Sequence, residues 1–179
     1  MGVAPRSKRY AEMASEEKST PMERASSWLE IAKHPDYDGH DSELAKHLRL
    51  VSASFDPTPS HPHNATSVFE LIVPHTLCNM SGNLHGGAVA LIFDICTSIT
   101  INILAKPEFW DSGHVTRTLN CTYLRPVQEG QKVLIESQVV HLGKRMGVVT
   151  GVIRGTEEDG GKVCYTCEHG KASLTGSNM

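Results

Sequence analysis

Between Leu84 and Ile103 the apolar residues Leu84, Ala88, Leu91, Ile92, Ile95, Ile99 and Ile103 recur at helical spacing. Val89, Phe93 and Ile101 widen the stripe until it covers most of the helix surface, so other elements must enclose it. The pattern stops before Pro107. One segment upstream, Thr66 to Val73, is β-rich and ends at Pro74. Four segments downstream are strand-like: Gly113 to Leu124, Gln131 to Leu142, Gly147 to Thr156 and Lys162 to Leu174. Their joins are turns: Arg125-Pro126 with Glu129-Gly130, then Gly143-Lys144-Arg145, then the strong hairpin signal Glu158-Asp159-Gly160-Gly161. A strand, a long buried helix and four antiparallel strands predict an α+β fold whose sheet wraps a single helix.

Two features break this apolar frame. Directly before the helix stands Asn79-Met80-Ser81-Gly82-Asn83-Leu84-His85-Gly86-Gly87, which brings an amide, an imidazole and two glycines to the helix mouth. A helix start presents unpaired N–H groups and a partial positive charge, so it can hold a developing oxyanion. Inside the helix, Asp94 is a lone acid, and a carboxylate in apolar surroundings is costly unless it is paired or used. Together the two features read as an acyl-transfer site.

Composition sets the outer bounds. The 179 residues suffice for one domain with a real core and a tail. A net charge of −3 gives no general electrostatic reason to bind nucleic acid or membrane. The most apolar run, Ala88 to Ala105, is broken by Asp94 and by Thr, Ser and Asn, which argues against a spanning helix. Arg6, Lys8 and Arg9 have no apolar segment behind them, so no secretory signal is expected, and Arg6 stands where a myristoylation signal needs Ser or Thr. Glu12, Glu16 and Glu17 argue against a mitochondrial transit peptide, which leaves the cytoplasm as the expected location. Five cysteines, an odd count, point to reduced thiols. Cys164-Tyr165-Thr166-Cys167 has the spacing of a zinc or redox pair, yet no second pair exists and the segment reads as strand rather than helix start. No metal is expected.

Three regions separate along the chain. Residues 1–20 are polar and aperiodic, and a disordered tail is expected there. Residues 21–60 read as an N-terminal helical extension, with Pro21, Met22, Ala25, Trp28, Leu29 and Ala32 marking one helix and Asp41 capping a second that runs to His47. Pro57, Pro59 and Pro62 punctuate a loop, and residues 61–175 form the domain of the wrapped helix.

From about Thr66 to Ala172 the chain resembles the hotdog-fold thioesterases of the PaaI-like acyl-CoA branch. The resemblance is carried by Asn79, Leu84-His85-Gly86-Gly87, Asp94, Asn120-Cys121-Thr122-Tyr123-Leu124-Arg125-Pro126 and the Gly143-Lys144 turn. It implies a homodimer that joins two sheets into one, often paired again into a tetramer. It also implies an acyl-CoA or acyl-carrier thioester bound at the subunit interface, with CoA as part of the substrate and no separate cofactor. By the same resemblance Asp94 is the catalytic carboxylate, a general base on water or a nucleophile on the thioester carbonyl. The Gly86 backbone N–H polarises that carbonyl, Asn79 positions the water or the thioester, and His85 orients the substrate or assists the leaving thiolate. Thr116 falls where relatives carry a small hydroxyl that holds the water. Gly87, Arg125, Lys144, Arg145 and Lys171, the last beside His169, are the CoA-binding candidates.

The spacing adds an argument of its own. His85 and Asp94 are nine residues apart. In a helix they are separated by about 13 Å and lie on opposite faces. If both serve one substrate, each must come from a different protomer, and a two-fold axis then supplies two such sites. Simpler readings stand beside these. Asp94 can be a structural acid, His85 a helix cap, Asn79 a loop-holding amide and Thr116 an ordinary strand residue. Two other functions compete: a non-catalytic hotdog protein that binds an acyl ligand or a partner through residues 21–60, and a hotdog hydratase. The hydratase signature is missing, because Asn79 is followed by Met80 and no proline.

Overall fold

The computed structural model describes residues 20–174. In chain order the elements are α1 (Pro21–Ala32), α2 (Ser42–His47), β1 (Leu48–Phe55), β2 (Ala65–Ile72), a 3-10 turn at His75–Leu77 and α3 (Gly86–Asn102). Strands β3 (His114–Tyr123), β4 (Lys132–Leu142), β5 (Met146–Gly155) and β6 (Val163–Ser173) follow. They form one antiparallel sheet in the order β1-β2-β4-β5-β6-β3. This is the predicted α+β hotdog arrangement, with the sheet wrapped around α3. Of the tail expected over residues 1–20, residues 1–19 lie outside the described residues, and Thr20 is the N-cap of α1.

The helix can sink into the sheet because one row of the sheet is built from small residues. Ser67, Ser137, Gly151, Cys167 and Cys121 lie in register across β2, β4, β5, β6 and β3. A Cβ at Gly151 would stand 2.7 Å from the Phe93 ring and 2.8 Å from Cys167 Sγ, so only glycine leaves room for Phe93. Ser67 and Thr100 meet in the same layer, Oγ to Oγ1, at 2.6 Å. Around this row Ile92, Phe93, Cys96 and Ile99 pack on Phe69, Ile135, Val149 and Ile153, all buried.

Strand β1 is a correction to the helical extension, which is helical only as far as His47. A register shift between Leu50 and Ser52 destroys the period of two, and an edge strand has one face open, so residues 48–55 carry no clean alternation. Helix α1 starts with a reciprocal capping box between Thr20 and Glu23 and buries Ala25, Leu29 and Ala32. Its Arg24 Nη1 donates to the carbonyl of Ile103 at 3.0 Å and so satisfies a terminal carbonyl of α3. Asp41 occupies the cap position of α2, but its carboxylate makes no cap bond and accepts instead from the Tyr37 hydroxyl at 2.7 Å.

At the far end of the sheet, among the described residues, β3 is bonded only to β6 and its other edge is unpaired. Val115 and Tyr123 on it, and Leu124 just beyond, are about half exposed, at 45%, 51% and 53%. Among the described residues no helix is long and apolar enough to cross a membrane.

Candidate active site

Asp94 lies in the third turn of α3, on the side facing the β6 and β3 end of the sheet. Thr116 Oγ1 on β3 donates to Asp94 Oδ1 at 2.6 Å. From β6, His169 Nε2 stands 3.4 Å and Lys171 Nζ 3.6 Å from the same oxygen. The register explains the convergence: Lys171 is paired directly with Thr116, and His169 and Lys171, two residues apart, share one face of β6. His169 is fully buried and Lys171 is 3% exposed, whereas the Asp94 side chain keeps 36% of its surface. The acid is backed by protein and open in front.

Counting protons constrains the network. The Thr116 hydroxyl has one proton and two lone pairs. Its proton lies on Asp94, and its lone pairs face His169 Nε2 at 3.0 Å and Lys171 Nζ at 3.1 Å. All three bonds form together only if His169 carries its proton on Nε2. Its Nδ1 lies 2.6 Å from Thr97 Oγ1, whose one proton also has the Phe93 carbonyl at 2.6 Å as an acceptor. Burial, then Lys171, pull His169 down to about 4 against the opposing pull of Asp94, so its imidazole is neutral at pH 7. Burial also lowers Lys171, opposed by Asp94. His114, two residues before Thr116, is pushed to about 3 by burial and then by Lys171 and His169. Its Nδ1 is buried and has no hydrogen-bond partner among the described residues.

The helix mouth forms a second cluster. His85 is the N-cap of α3, and its Nδ1 accepts from the Gly87 N–H at 2.9 Å. A Cβ on Gly87 would press on that ring at 3.1 Å. Because Nδ1 is occupied, neutral His85 carries its proton on Nε2 and presents a donor to the surroundings. Gly86 is the first helical residue, so its N–H has no intrahelical carbonyl to reach. The Tyr123 hydroxyl donates to the Gly86 carbonyl at 2.9 Å and ties the helix mouth to the end of β3. Asn79 Oδ1 accepts from Ser81 N at 2.9 Å and Asn83 N at 3.2 Å, so the amide shapes the loop in front of the helix.

Within one chain, then, the predicted site residues fall into two groups. Asp94 and Thr116 are joined directly. Asn79, His85, Gly86 and Gly87 lie at the mouth, about 12 Å away along the helix from Gly86 to Asp94. The basic candidates divide as well. Arg125 lies beside the start of β6, donating to the Val163 carbonyl at 2.6 Å, while Lys144 and Arg145 are exposed in the β4–β5 turn beside its end, where Ser173 N donates to the Arg145 carbonyl. Lys171 does not fit the CoA-contact role expected for it, because its ammonium is buried beneath Thr116. Thr97, Ser98 and His114 were not singled out in the sequence. Their signal was polar residues recurring on a helix face and a strand that must otherwise be apolar.

Comparison with known proteins agrees with this geometry. Residues 81–164 match the Thioesterase superfamily. Among solved structures the chain is similar to zebra fish Thioesterase Superfamily Member 2, with TM-score 0.68 and 22% identity over 87% of this chain and 99% of that one. It is similar to the E. coli PaaI protein from the phenylacetic acid degradation operon, with TM-score 0.64 and 18% identity over 88% and 99% of the two chains. It is also similar to a Streptococcus pneumoniae hypothetical thioesterase crystallised with coenzyme A, with TM-score 0.59 and 18% identity over 72% and 86%. At these identities the structures establish the fold. In sequence it is 31% identical over 91 residues to the Caenorhabditis elegans protein named "Putative esterase F42H10.6", and the match spans about half of that protein, 52%, and 51% of this chain. The fold and site define a hotdog-fold protein. Its resemblance to the thioesterase superfamily is carried by residues 81–164.

Proposed function

We propose that the protein hydrolyses an acyl-CoA or acyl-carrier thioester to the free acid and thiol, in a site completed by a second copy of the chain. The observation that carries this reading is Asp94. It is a carboxylate with one oxygen held by Thr116 and backed by a buried imidazole and a buried ammonium, and the side chain is still a third exposed.

A helix mouth supplies the complementary half. The Gly86 N–H, which no carbonyl of its own helix can reach, is an oxyanion donor of a kind worth about 3 kcal/mol in acyl transfer. The bare edge of β3 supports the way the halves would meet. An antiparallel two-fold pairing near the middle of β3 sets Thr116 opposite the Thr122–Tyr123 end of the second strand. Tyr123 is the residue that holds Gly86. Asp94 of one protomer then faces the helix mouth of the other. The same operation brings Arg125 of one protomer to the sheet end that carries Lys144 and Arg145 of the other, where they can meet CoA phosphates. Ile72, Val140 and Met146, exposed on the outer sheet face, offer a surface for pairing two dimers.

In this arrangement Asp94 acts as base on water or as nucleophile on the thioester carbonyl, and Gly86 N–H stabilises the developing oxyanion. His85 Nε2–H donates towards the leaving sulfur. A panel of acetyl to palmitoyl and aromatic thioesters, read by thiol release, tests the reading. Wild-type turnover that falls by about a hundredfold or more in Asp94→Asn supports it. No turnover on any thioester, or full turnover in the variant, overturns it.

A further inference from the structure

A buried ammonium is costly, so Lys171 requires an account. It lies under Thr116, 3% exposed, where no phosphate of a bound CoA can reach it without opening the sheet. Its three protons point to Ser98 Oγ at 2.8 Å, Thr116 Oγ1 at 3.1 Å and Asp94 Oδ1 at 3.6 Å. Ser98 gives its own proton to the Asp94 backbone carbonyl at 2.5 Å, so it receives from Lys171 rather than donating to it. One ammonium therefore links the helix turn after Asp94 to the strand residue that bonds Asp94.

The effect is on Thr116. Lys171 Nζ donates to Thr116 Oγ1 at 3.1 Å and His169 Nε2 lies 3.0 Å from it, while the hydroxyl gives its own proton to Asp94 Oδ1. The Thr116 hydrogen bond, the neutral His169 Nε2 at 3.4 Å and the Lys171 ammonium at 3.6 Å converge on that oxygen. Oδ2 is the atom left for the reactant. If Lys171 were absent, a lone pair would open and the hydroxyl could rotate away, releasing the carboxylate from its orientation.

We infer that Lys171 is a positioning residue, which locks the Thr116 hydroxyl onto Asp94 Oδ1 so that Oδ2 meets the reactant; this rests on the thioesterase reading. Because Lys171 acts through Thr116, its loss should cost little once that hydroxyl is gone. The test is a double-mutant cycle of Lys171→Met and Thr116→Val in the full chain, with kcat and KM measured on the best thioester of the wild type. Lys171→Met is expected to lower kcat about tenfold or more with KM within about twofold, and the double variant to match Thr116→Val within about threefold. Purely additive losses, a change in KM with kcat intact, or unchanged kinetics would overturn the positioning role. If Lys171→Met does not fold, Ser98→Ala removes the anchor of Nζ without disturbing the helix, and the same non-additivity with Thr116→Val is expected of it. Wild-type turnover with an additive cycle removes only the role of Lys171. Absence of wild-type turnover removes the thioesterase reading and this inference together.

Discussion

The Tyr123 hydroxyl, at the end of the bare strand β3, donates to the Gly86 carbonyl in the first turn of α3 at 2.9 Å. This bond couples the edge proposed to join two protomers to the amide proposed to polarise the substrate. Tyr123→Phe removes it without changing the ring. A fall in kcat/KM of about three- to tenfold with the dimer intact is expected, since one hydrogen bond is worth about 1 kcal/mol. Steady-state kinetics with size-exclusion chromatography checks it, and unchanged kcat/KM would show that the helix mouth holds its own position.

Complementation tests the shared site. Asp94→Asn and His85→Ala protomers should each be weak alone. Mixed after unfolding and refolding, they form hybrid dimers in which one site keeps both residues intact, and activity should rise above either parent. Verified heterodimers with no recovery would place both residues on the same side of the interface.

Acid should destabilise the fold in a defined window. His169 and His114 have folded values of about 4 and about 3, below the 6.5 of an unfolded imidazole, because burial disfavours their charged forms. Between pH 6.5 and about 4 the unfolded chain therefore binds more protons than the native one, so stability present above pH 6.5 is lost as pH falls. Each group contributes a slope of up to about 1.4 kcal/mol per pH unit there. Urea denaturation midpoints across this range should fall steeply. His114→Leu, which removes a base whose Nδ1 is unpartnered, should flatten the curve; an unaltered slope would assign the effect to other groups.

Gly151→Ala tests how closely α3 approaches the sheet. The added methyl would meet Phe93 at 2.7 Å and Cys167 at 2.8 Å, and a loss of about 1–3 kcal/mol is expected from overpacking. Chemical denaturation measures it. A neutral result would mean the helix can ride outward.

Much of this architecture was legible in the residues. The helix read from Leu84 to Ile103 is Gly86–Asn102, and strands β2 to β6 end within a residue or two of where alternation and turns placed them. In β2, β4 and β5 buried residues fall at nearly every second position, and burial writes that period into the sequence, whereas β3 and β6 are legible from their β-rich residues and bounding turns. Strand β1 wrote none, because a register shift and an open edge relax the constraint on each side chain. At the site, the residue types suggested chemistry, and two of them carry architectural duties besides: His85 caps the helix and Asn79 holds the loop. Lys171 shows the limit most clearly. Resemblance to relatives makes it a CoA-binding candidate, and only its direct pairing with Thr116 shows that its ammonium lies against that hydroxyl and near Asp94.

The sequence by itself determined that a long apolar helix bearing one acid must be enclosed by a sheet and preceded by a glycine-rich mouth, since local periodicity and the cost of burial act on each residue alone. The tertiary structure decided which oxygen of Asp94 is held, that His169 and Lys171 are buried behind it, and that the acid and the helix mouth stand apart within one chain. Those outcomes depend on strand register and on distances of about 3 Å between residues up to 77 positions apart in the chain, 171 against 94, and no local pattern encodes them.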